Sequence, residues 1–335
     1  MPDHTSQRVA RIIGVGSYLP EKILTNADLE KMVETSDEWI VTRTGIKERR
    51  IARSDEFTSD MGVAAAEDAL KNAHLDSKEI DLIIFATLTP DYIFPSTAAL
   101  LQKHLGATHA AAFDVQAACT GYIYGLSIAK AFIESGIYKN ILLVAAEKLS
   151  SIVNYKDRNT CVLFGDGAAA AVISDKGEGF AIRHTTLGAD GEQASLLMLP
   201  AGGSRNPASK ESVEEGLHYI LMEGKEVFKH AVRRMESAAE ECIAKSCVQE
   251  SDITWFVPHQ ANLRIIEALA KRFSFPSDRV YKTLQKYGNT SASSVGIALH
   301  ELLKEHEIKE GENLLLAAFG AGLTWGATIL SKITK

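Results

Sequence analysis

The sequence predicts an α/β chain made of two similar halves, and three observations carry that expectation. Short apolar runs alternate with helix-like stretches along the whole chain. The order of elements in the first half returns in the second. The side chains best suited to chemistry, Cys119, His259 and Asn289, all fall where a predicted strand gives way to a corner. In open α/β sheets ligands bind beyond the carboxyl ends of strands. The halves divide into residues 1–180, with the cysteine, and 181–335, with the histidine and asparagine.

The first half reads in order. Residues 8–16 (RVARIIGVG) form a strand whose Gly14 and Gly16 look like the start of a dinucleotide fingerprint. The third glycine of that pattern would fall at Leu19, with Pro20 next, so this is a strand end and not a cofactor loop. Residues 26–43 are helical with an interruption. A helix over 60–74 carries Val63, Ala66, Ala69, Leu70 and Ala73 on one side. DLIIFATL (81–88) is a buried strand, 96–105 a helix and 109–115 a strand. A small-residue corner holding Cys119 leads into a helix, and ILLVAAE (141–147) is again a buried strand. Gly165, Asp166 and Gly167 read as a turn between antiparallel strands, not a phosphate loop.

The second half repeats the rhythm. The clearest amphipathic helix spans 224–246, with Val227, Phe228, Ala231, Val232, Met235, Ala238, Ala239, Cys242 and Ile243 in phase. A strand over 253–258 ends at His259, and a helix covers 261–273. Residues 279–284 are strand-like and reach the corner at Asn289. A helix over 294–305 and strands over 313–319 and 326–333 follow. NILLVAAE and NLLLAAFG match as paired segments. On a pseudo-two-fold axis, equivalent strand ends face one mouth.

Totals exclude several functions. The 335 residues carry a net charge of −7, which gives no nucleic-acid signal. The four cysteines, at 119, 161, 242 and 247, include no CxxC, against common zinc spacings and a disulfide scaffold. A reduced, cytoplasmic setting fits. The first 16 residues hold no apolar core of signal-peptide length, and no run nears the roughly 20 apolar residues of a membrane helix.

Cys119 at a helix N-terminus should ionise readily, because unpaired N–H groups and the macrodipole favour a thiolate. Free cysteine is also a small core hydrophobe, and the stretch alone favours that reading. His259 at a strand end could donate a hydrogen bond or act as a base. Asn289 in KYGNTSASS is either a cap or an amide donor toward developing negative charge. Gly320-Ala321-Gly322 ends a strand where backbone can approach a ligand or turn tightly. Together Cys, His and Asn point to chemistry at a carbonyl. A papain-like protease expects its cysteine near the N-terminus in C-G-[SA]-C-[WY], and AACTG at 117–121 does not match. Condensation of thioesters remains.

The motifs GVGSYLP, TSDEWIVTRTGIKERRI, AACTGYIYGL, FGDGAAAAV, VPHQANLRI, KYGNTSASS and GAGLTWGA, spread over nearly the whole length, resemble the β-ketoacyl-acyl carrier protein synthase III family. The resemblance implies a thiolase-like fold, with two pseudo-symmetric mixed-sheet α/β halves stacked in five layers, and a homodimer. It implies an acyltransferase that starts type II fatty acid synthesis from acyl-CoA and malonyl-acyl carrier protein, with no metal or redox cofactor. Two rivals stand beside it: a related condensing enzyme using free coenzyme A thioesters throughout, and a non-catalytic interaction subunit.

Carried over by position, the resemblance makes Cys119 the nucleophile and His259 with Asn289 the pair that binds the malonyl thioester carbonyl. Backbone N–H groups of Cys119 and Ala321 would form the oxyanion hole. The family often has glycine where Ala321 stands, and alanine serves if its φ is negative. Thr35, Trp39 and Arg43 would contact coenzyme A, with Trp39 and Arg158 sandwiching the adenine. Gly224, Phe228 and Asn262 would line the pantetheine channel. Phe94 matches the position where the dimer partner reaches the acyl pocket; otherwise it is a core aromatic. A basic patch is also legible directly. Arg264 and Lys271 share a helix face beside Arg272, and Lys229 and Arg233 lie four apart on another helix. It suits an acidic partner such as the carrier protein, or is simply a solvated face.

Overall fold

A computed structural model describes residues 8–334; part of the expectation about the N-terminus therefore lies outside the described residues. Nine strands join in one sheet. They are β1 (Arg11–Tyr18), β2 (Leu82–Ala86), β3 (Ala111–Val115), β4 (Asn140–Glu147), β5 (Gly167–Ser174), β6 (Gly179–Ala189), β7 (Ile253–Pro258), β8 (Asn313–Gly320) and β9 (Thr324–Ile333). Their order is β7-β8-β9-β6-β1-β5-β4-β2-β3.

This sheet is two copies of one pattern. In the first, β2 pairs in parallel with β3 and β4, and β4-β5-β1 continues antiparallel. In the second, β7 pairs in parallel with β8 and, through a single bridge, with Val280. There β8-β9-β6 continues antiparallel. Within the sheet, Arg11 pairs with Ala181 and Ile12 with Phe180 to join the copies.

The main helices are α1 (Asp37–Thr44), α2 (Thr58–Ala73), α3 (Thr97–Leu105), α4 (Gly121–Glu134), α5 (Gly224–Lys245), α6 (Leu263–Arg272) and α7 (Ser293–Glu305). Local chemistry sets several ends. Ser36, Ser96 and Asn262 cap α1, α3 and α6 by accepting from the first-turn N–H groups. Gly45 and Gly106 end α1 and α3 in the left-handed conformation.

Three apolar clusters reveal the layers. One joins α2 and α3 to a face of β2, β4 and β5 through Met61, Ala65, Leu101, Phe85 and Val144. Another joins α5 and α6 to β7, β8 and β9 through Met235, Leu269, Phe256, Leu315 and Ile329. Between the sheet copies lie α4 and α7, with Leu126, Val295 and Leu299 packed on Leu143 and Leu316. The result is the five-layer thiolase fold. Gly14 and Gly16 are packing residues: a Cβ on Gly16 would come within 2.3 Å of Ala69 N, so bare backbone lets β1 press on α2.

Two sequence expectations need correction. Residues 279–284 are not a strand, because only Val280 bridges to β7. The Thr283 and Leu284 N–H groups instead donate to Gln260 Oε1. Gly165–Gly167 is not a hairpin turn either. β4 and β5 are antiparallel neighbours, but a long connection over 148–166 separates them. Asp166 is buried there and ties that connection together, accepting from Ser150 N at 2.8 Å, Ser150 Oγ at 2.6 Å and Ala52 N at 2.8 Å.

Candidate active site

One cavity of about 730 Å³ is lined by Cys119, His259, Asn289, Phe319 and Gly320, and by Trp39, Arg43, Gly224, Phe228, Asn262 and Arg264. Cys119, His259 and Asn289 are 7%, 4% and 6% exposed and form its depth. The outer part carries exposed cations.

Cys119 sits in a tight turn ahead of α4. Ala118 before it is held at φ 44°, a left-handed conformation costing an L-residue about 1–2 kcal/mol. Gly320 lies against the same backbone, where a Cβ would come 2.7 Å from Cys119 N. The expectation of an easily ionised thiol is not met. Burial pushes the thiol up to about 12, and the Glu147 carboxylate adds to the rise, while the Ser291 hydroxyl opposes it. A helix end supplies about 0.3–1 kcal/mol, about 2 at most. Each factor of ten in ionisation costs about 1.4 kcal/mol. Burial therefore wins, and the thiol needs a proton acceptor.

His259 follows β7, its main-chain N–H donating to Ala317 O at 2.8 Å. Its Nδ1 lies 2.6 Å from Ser294 Oγ, which also accepts from Gln260 N at 3.4 Å. In the tautomer where Ser294 Oγ donates to Nδ1, the ring proton sits on Nε2, and the Gln260 N–H is compatible with that arrangement. Burial holds the imidazole neutral, with a pKa of about 3. Asn289 is fixed by main-chain bonds: its N–H donates to Leu163 O at 2.8 Å, and Ser291 N donates to its Oδ1 at 2.8 Å. The amide nitrogen is left for a ligand.

Other expected residues divide. Gly224, Phe228 and Asn262 line the cavity, and Asn262 Nδ2 also donates to Arg43 O at 3.1 Å. Ala321 lies outside the lining, next to Gly320, and its φ is not positive. Thr35 is also outside; its Oγ1 is buried without a partner among the described residues. Arg43 and Arg158 both stack on Trp39, with Cζ 4.8 and 4.6 Å from the ring centre. The Trp39–Arg158 sandwich is thus closed, with no room for a third flat group. Phe94 is not a core aromatic: it is 84% exposed, beside Ile93 at 86%.

In the basic patch, Lys229, Arg233, Arg264, Lys271 and Arg272 are all exposed. Arg272 is already paired with Glu236 and Glu240 of α5, and Lys229 with Glu226, which weakens both as free cations. Arg264 instead lies over Phe228, 5.5 Å from the ring centre. Sequence reading missed Glu147, Ser291 and Ser294. An acidic residue ending the apolar run ILLVAAE was the available signal for the first. Among the described residues, no group of three or more His, Cys, Asp or Glu is arranged for a metal ion, and no helix is long and apolar enough to cross a membrane.

A thiolase fold whose corners bring a cysteine, a histidine and an asparagine to one deep pocket defines a condensing acyltransferase. Family models sharpen this. The model described as 3-oxoacyl-[acyl-carrier-protein (ACP)] synthase III matches residues 113–191, and the one for the C-terminal part of the same synthase matches residues 243–332. The beta-ketoacyl-[acyl-carrier-protein] synthase III of Chlamydia pneumoniae is 64% identical, over 97% of each chain. That of Caldanaerobacter subterraneus subsp. tengcongensis is 57% identical, over 96% of this chain and 97% of the relative. The crystal structure of 3-oxoacyl-[acyl-carrier-protein] synthase III from Aquifex aeolicus superposes with a TM-score of 0.88 at 50% identity, covering 96% of this chain and 99% of that one. The chain belongs to the 3-oxoacyl-[acyl-carrier-protein] synthase III family, the condensing enzymes that initiate fatty acid synthesis.

Proposed function

We propose that the chain condenses acyl-CoA, with acetyl-CoA as the first primer to test, with malonyl-acyl carrier protein, giving 3-oxoacyl-carrier, coenzyme A and CO₂. Cys119 Sγ attacks the acyl-CoA carbonyl, and the oxyanion is met by the N–H groups of Cys119 and Ala321. The acyl group stays on sulfur while coenzyme A leaves. The malonyl thioester carbonyl then accepts from His259 Nε2 and Asn289 Nδ2. Loss of CO₂ leaves an enolate between these donors, and its carbon attacks the acyl-Cys119 carbonyl. A neutral imidazole suits this task, because a donor is needed and no proton has to be given up. The observation that carries the reading is the meeting of a buried thiol and two fixed donors in one pocket.

The division near residues 180 and 181 falls at the start of β6, and each side supplies one part of the chemistry: the nucleophile from 1–180, the donors from 181–335. Coenzyme A would enter along Gly224, Phe228 and Asn262, with Thr35, Trp39, Arg43 and Arg158 at its nucleotide end. Adenine can occupy its place only when Arg158 lifts from Trp39. Arg264, Lys271, Lys229 and Arg272 would receive the acidic carrier. The exposed Tyr92, Ile93 and Phe94, near the unpaired edge of β3, fit a homodimer interface in which Phe94 reaches the partner's acyl pocket. The working place is the cytoplasm, and no metal or cofactor takes part.

The test is intact-protein mass spectrometry after mixing with acetyl-CoA, followed by peptide mapping. One acetyl group on Cys119 is expected. No adduct with acetyl-, branched or longer acyl-CoA would overturn the reading.

A further inference from the structure

Arg49 is a fully buried cation that no step above uses. It lies in the short strand Glu48–Ile51, and its guanidinium meets only neutral acceptors. Nη2 donates to Val162 O at 2.7 Å. Nη1 donates to Asn26 Oδ1 at 2.9 Å and to Leu24 O at 3.1 Å. Among the described residues no carboxylate bonds to it, and its Nε has no partner. Burial draws the group down to about 10, which leaves it charged at neutral pH. A side chain kept for stability alone would sooner be apolar, because a buried charge without a counter-ion is costly.

What Arg49 holds is the support of Asn289. Val162 precedes Leu163, whose carbonyl accepts the Asn289 N–H at 2.8 Å. Gly165 N donates back to Asn289 O at 3.0 Å, so Phe164 and Asn289 form a single parallel bridge. The stem of Arg49 packs against both sides of that bridge: a Cβ on Gly165 would come 3.0 Å from Arg49 Cβ, and one on Gly288 3.3 Å. Main-chain bonds lace the same strand to both segments, Lys47 N to Gln285 O at 3.1 Å and Asp166 N to Arg50 O at 2.8 Å. The connection over 148–166 contains no strand, so side chains have to fix it. We propose that Arg49 is a positioning residue for the Asn289 amide: its guanidinium fixes Val162–Gly165, the ledge that holds Asn289, and so sets where Nδ2 meets the malonyl thioester carbonyl. This rests on the role given to Asn289 above. Arg49 does not line the cavity and acts only through its neighbours.

The fork shape accounts for the residue type. Two Nη atoms reach oxygens on separate segments, Val162 on one side and Leu24 with Asn26 on the other. A lysine has one nitrogen on a shorter stem and cannot span them. The Asn26 branch leads elsewhere. Asn26 Nδ2 donates to Asp37 Oδ1 at 2.8 Å and to Ile46 O at 2.9 Å, at the two ends of the stretch that contains α1, the helix of Trp39 and Arg43. Loss of Asn26 alone should therefore disturb the outer cavity and spare Asn289. His259 is anchored separately, through Ala317 O and Ser294 Oγ, so loss of Arg49 should reach one malonyl donor and not the other.

Amide hydrogen exchange of the full chain reads this anchoring without a substrate. A peptide over 285–292 carries the Asn289 N–H, and one over 255–262 the His259 N–H. In Arg49→Met, exchange over 285–292 should quicken about tenfold or more, and over 255–262 by less than about twofold. Asn26→Ala should leave both unchanged. Pre-acetylated protein supplies the kinetic readout. Arg49→Met should release CO₂ from malonyl-carrier about 10–100-fold more slowly at saturation, with KM altered less than about twofold. Acetylation of Cys119 should fall no further than in Asn26→Ala. Arg49→Lys should recover part of the lost rate and part of the protection. Unaltered exchange over 285–292 would overturn the proposal. Equal quickening of both peptides, which is a general loosening, or equal loss in both chemical steps would also overturn it. Should Arg49→Met not fold, the same exchange contrast in Arg49→Lys decides. An exchange contrast as expected, in a chain whose unsubstituted form neither acetylates nor releases CO₂, would uphold the anchoring of Asn289 and sink its reading as a donor.

Discussion

β4 and β8 hold the same place in the two copies of the sheet pattern, and each ends beside the corner that belongs to the other copy. β4 ends on Glu147, whose carboxylate reaches Ser291 in the Asn289 loop at 3.1 Å. β8 ends on Gly320, where even one carbon would press to 2.7 Å from Cys119 N. One end needs a long polar side chain and the other tolerates none. Pseudo-symmetry fixes where the backbone passes. What each position must supply is set by the group it meets, an isolated hydroxyl in one case and a crowded nucleophile in the other.

The sharpest break in this pairing is at the nucleophile. Cys119→Ala should abolish acetyl labelling and lower condensation by more than about 10⁴-fold; near-normal product in a carrier assay would remove Cys119 from its role. Gly320→Ala should come next, with acyl transfer slowed about 10²-fold, because displacement of a reacting group by about 1 Å has that cost. Full acylation at the unsubstituted rate would mean that the close approach serves packing alone. His259→Ala and Asn289→Ala should lower malonyl decarboxylation by about 10²–10³ while acylation falls much less. Equal losses in both steps would erase the division of labour between the halves.

Charge reversal at Arg264 and Lys271 should raise KM for the malonyl-carrier about tenfold and leave coenzyme A binding alone. Reversal at Arg272 should do less, since Glu236 and Glu240 already hold it. An unchanged KM in the first pair would dismiss the docking face. The smallest effect is on stability. Glu147 is raised from 4.5 to about 7 in the folded chain, so the unfolded chain releases that proton first as pH rises. Its contribution is full below pH 4.5 and is lost by about pH 7. Glu147→Gln should therefore flatten the fall in melting temperature across that window, and an unaltered slope would place the titration elsewhere.

Much of this was legible because strand ends and corners are local. The apolar runs at 81–88, 141–147, 253–258 and 313–319 give four strands of the sheet; Cys119 and His259 lie just past strands β3 and β7, whereas Asn289 follows a short helical turn over Leu284–Tyr287. What escaped depends on partners distant in sequence. Asp166 looks like a turn residue until Ala52 and Ser150 are seen donating to it. Glu147 looks like the polar end of a strand, because Ser291 lies 144 positions away. The left-handed turns at Ala118 and Ser291 carry neither glycine nor asparagine, so composition gives no sign of them. VYKTLQ has the residue types of a strand, yet the Gln260 side chain takes the N–H groups a neighbouring strand would need.

Trp39 is sandwiched by two guanidinium groups of its own chain, from Arg43 and Arg158. Any flat group that stacks on Trp39 in their place has to displace one of them, and the displaced cation then needs a new partner. Adenosine brings nothing to receive it, whereas a phosphorylated nucleotide carries its own anionic berth. On the coenzyme A reading proposed above, the phosphates of a nucleotide would receive the arginine that its base displaces, which a bare nucleoside could not do.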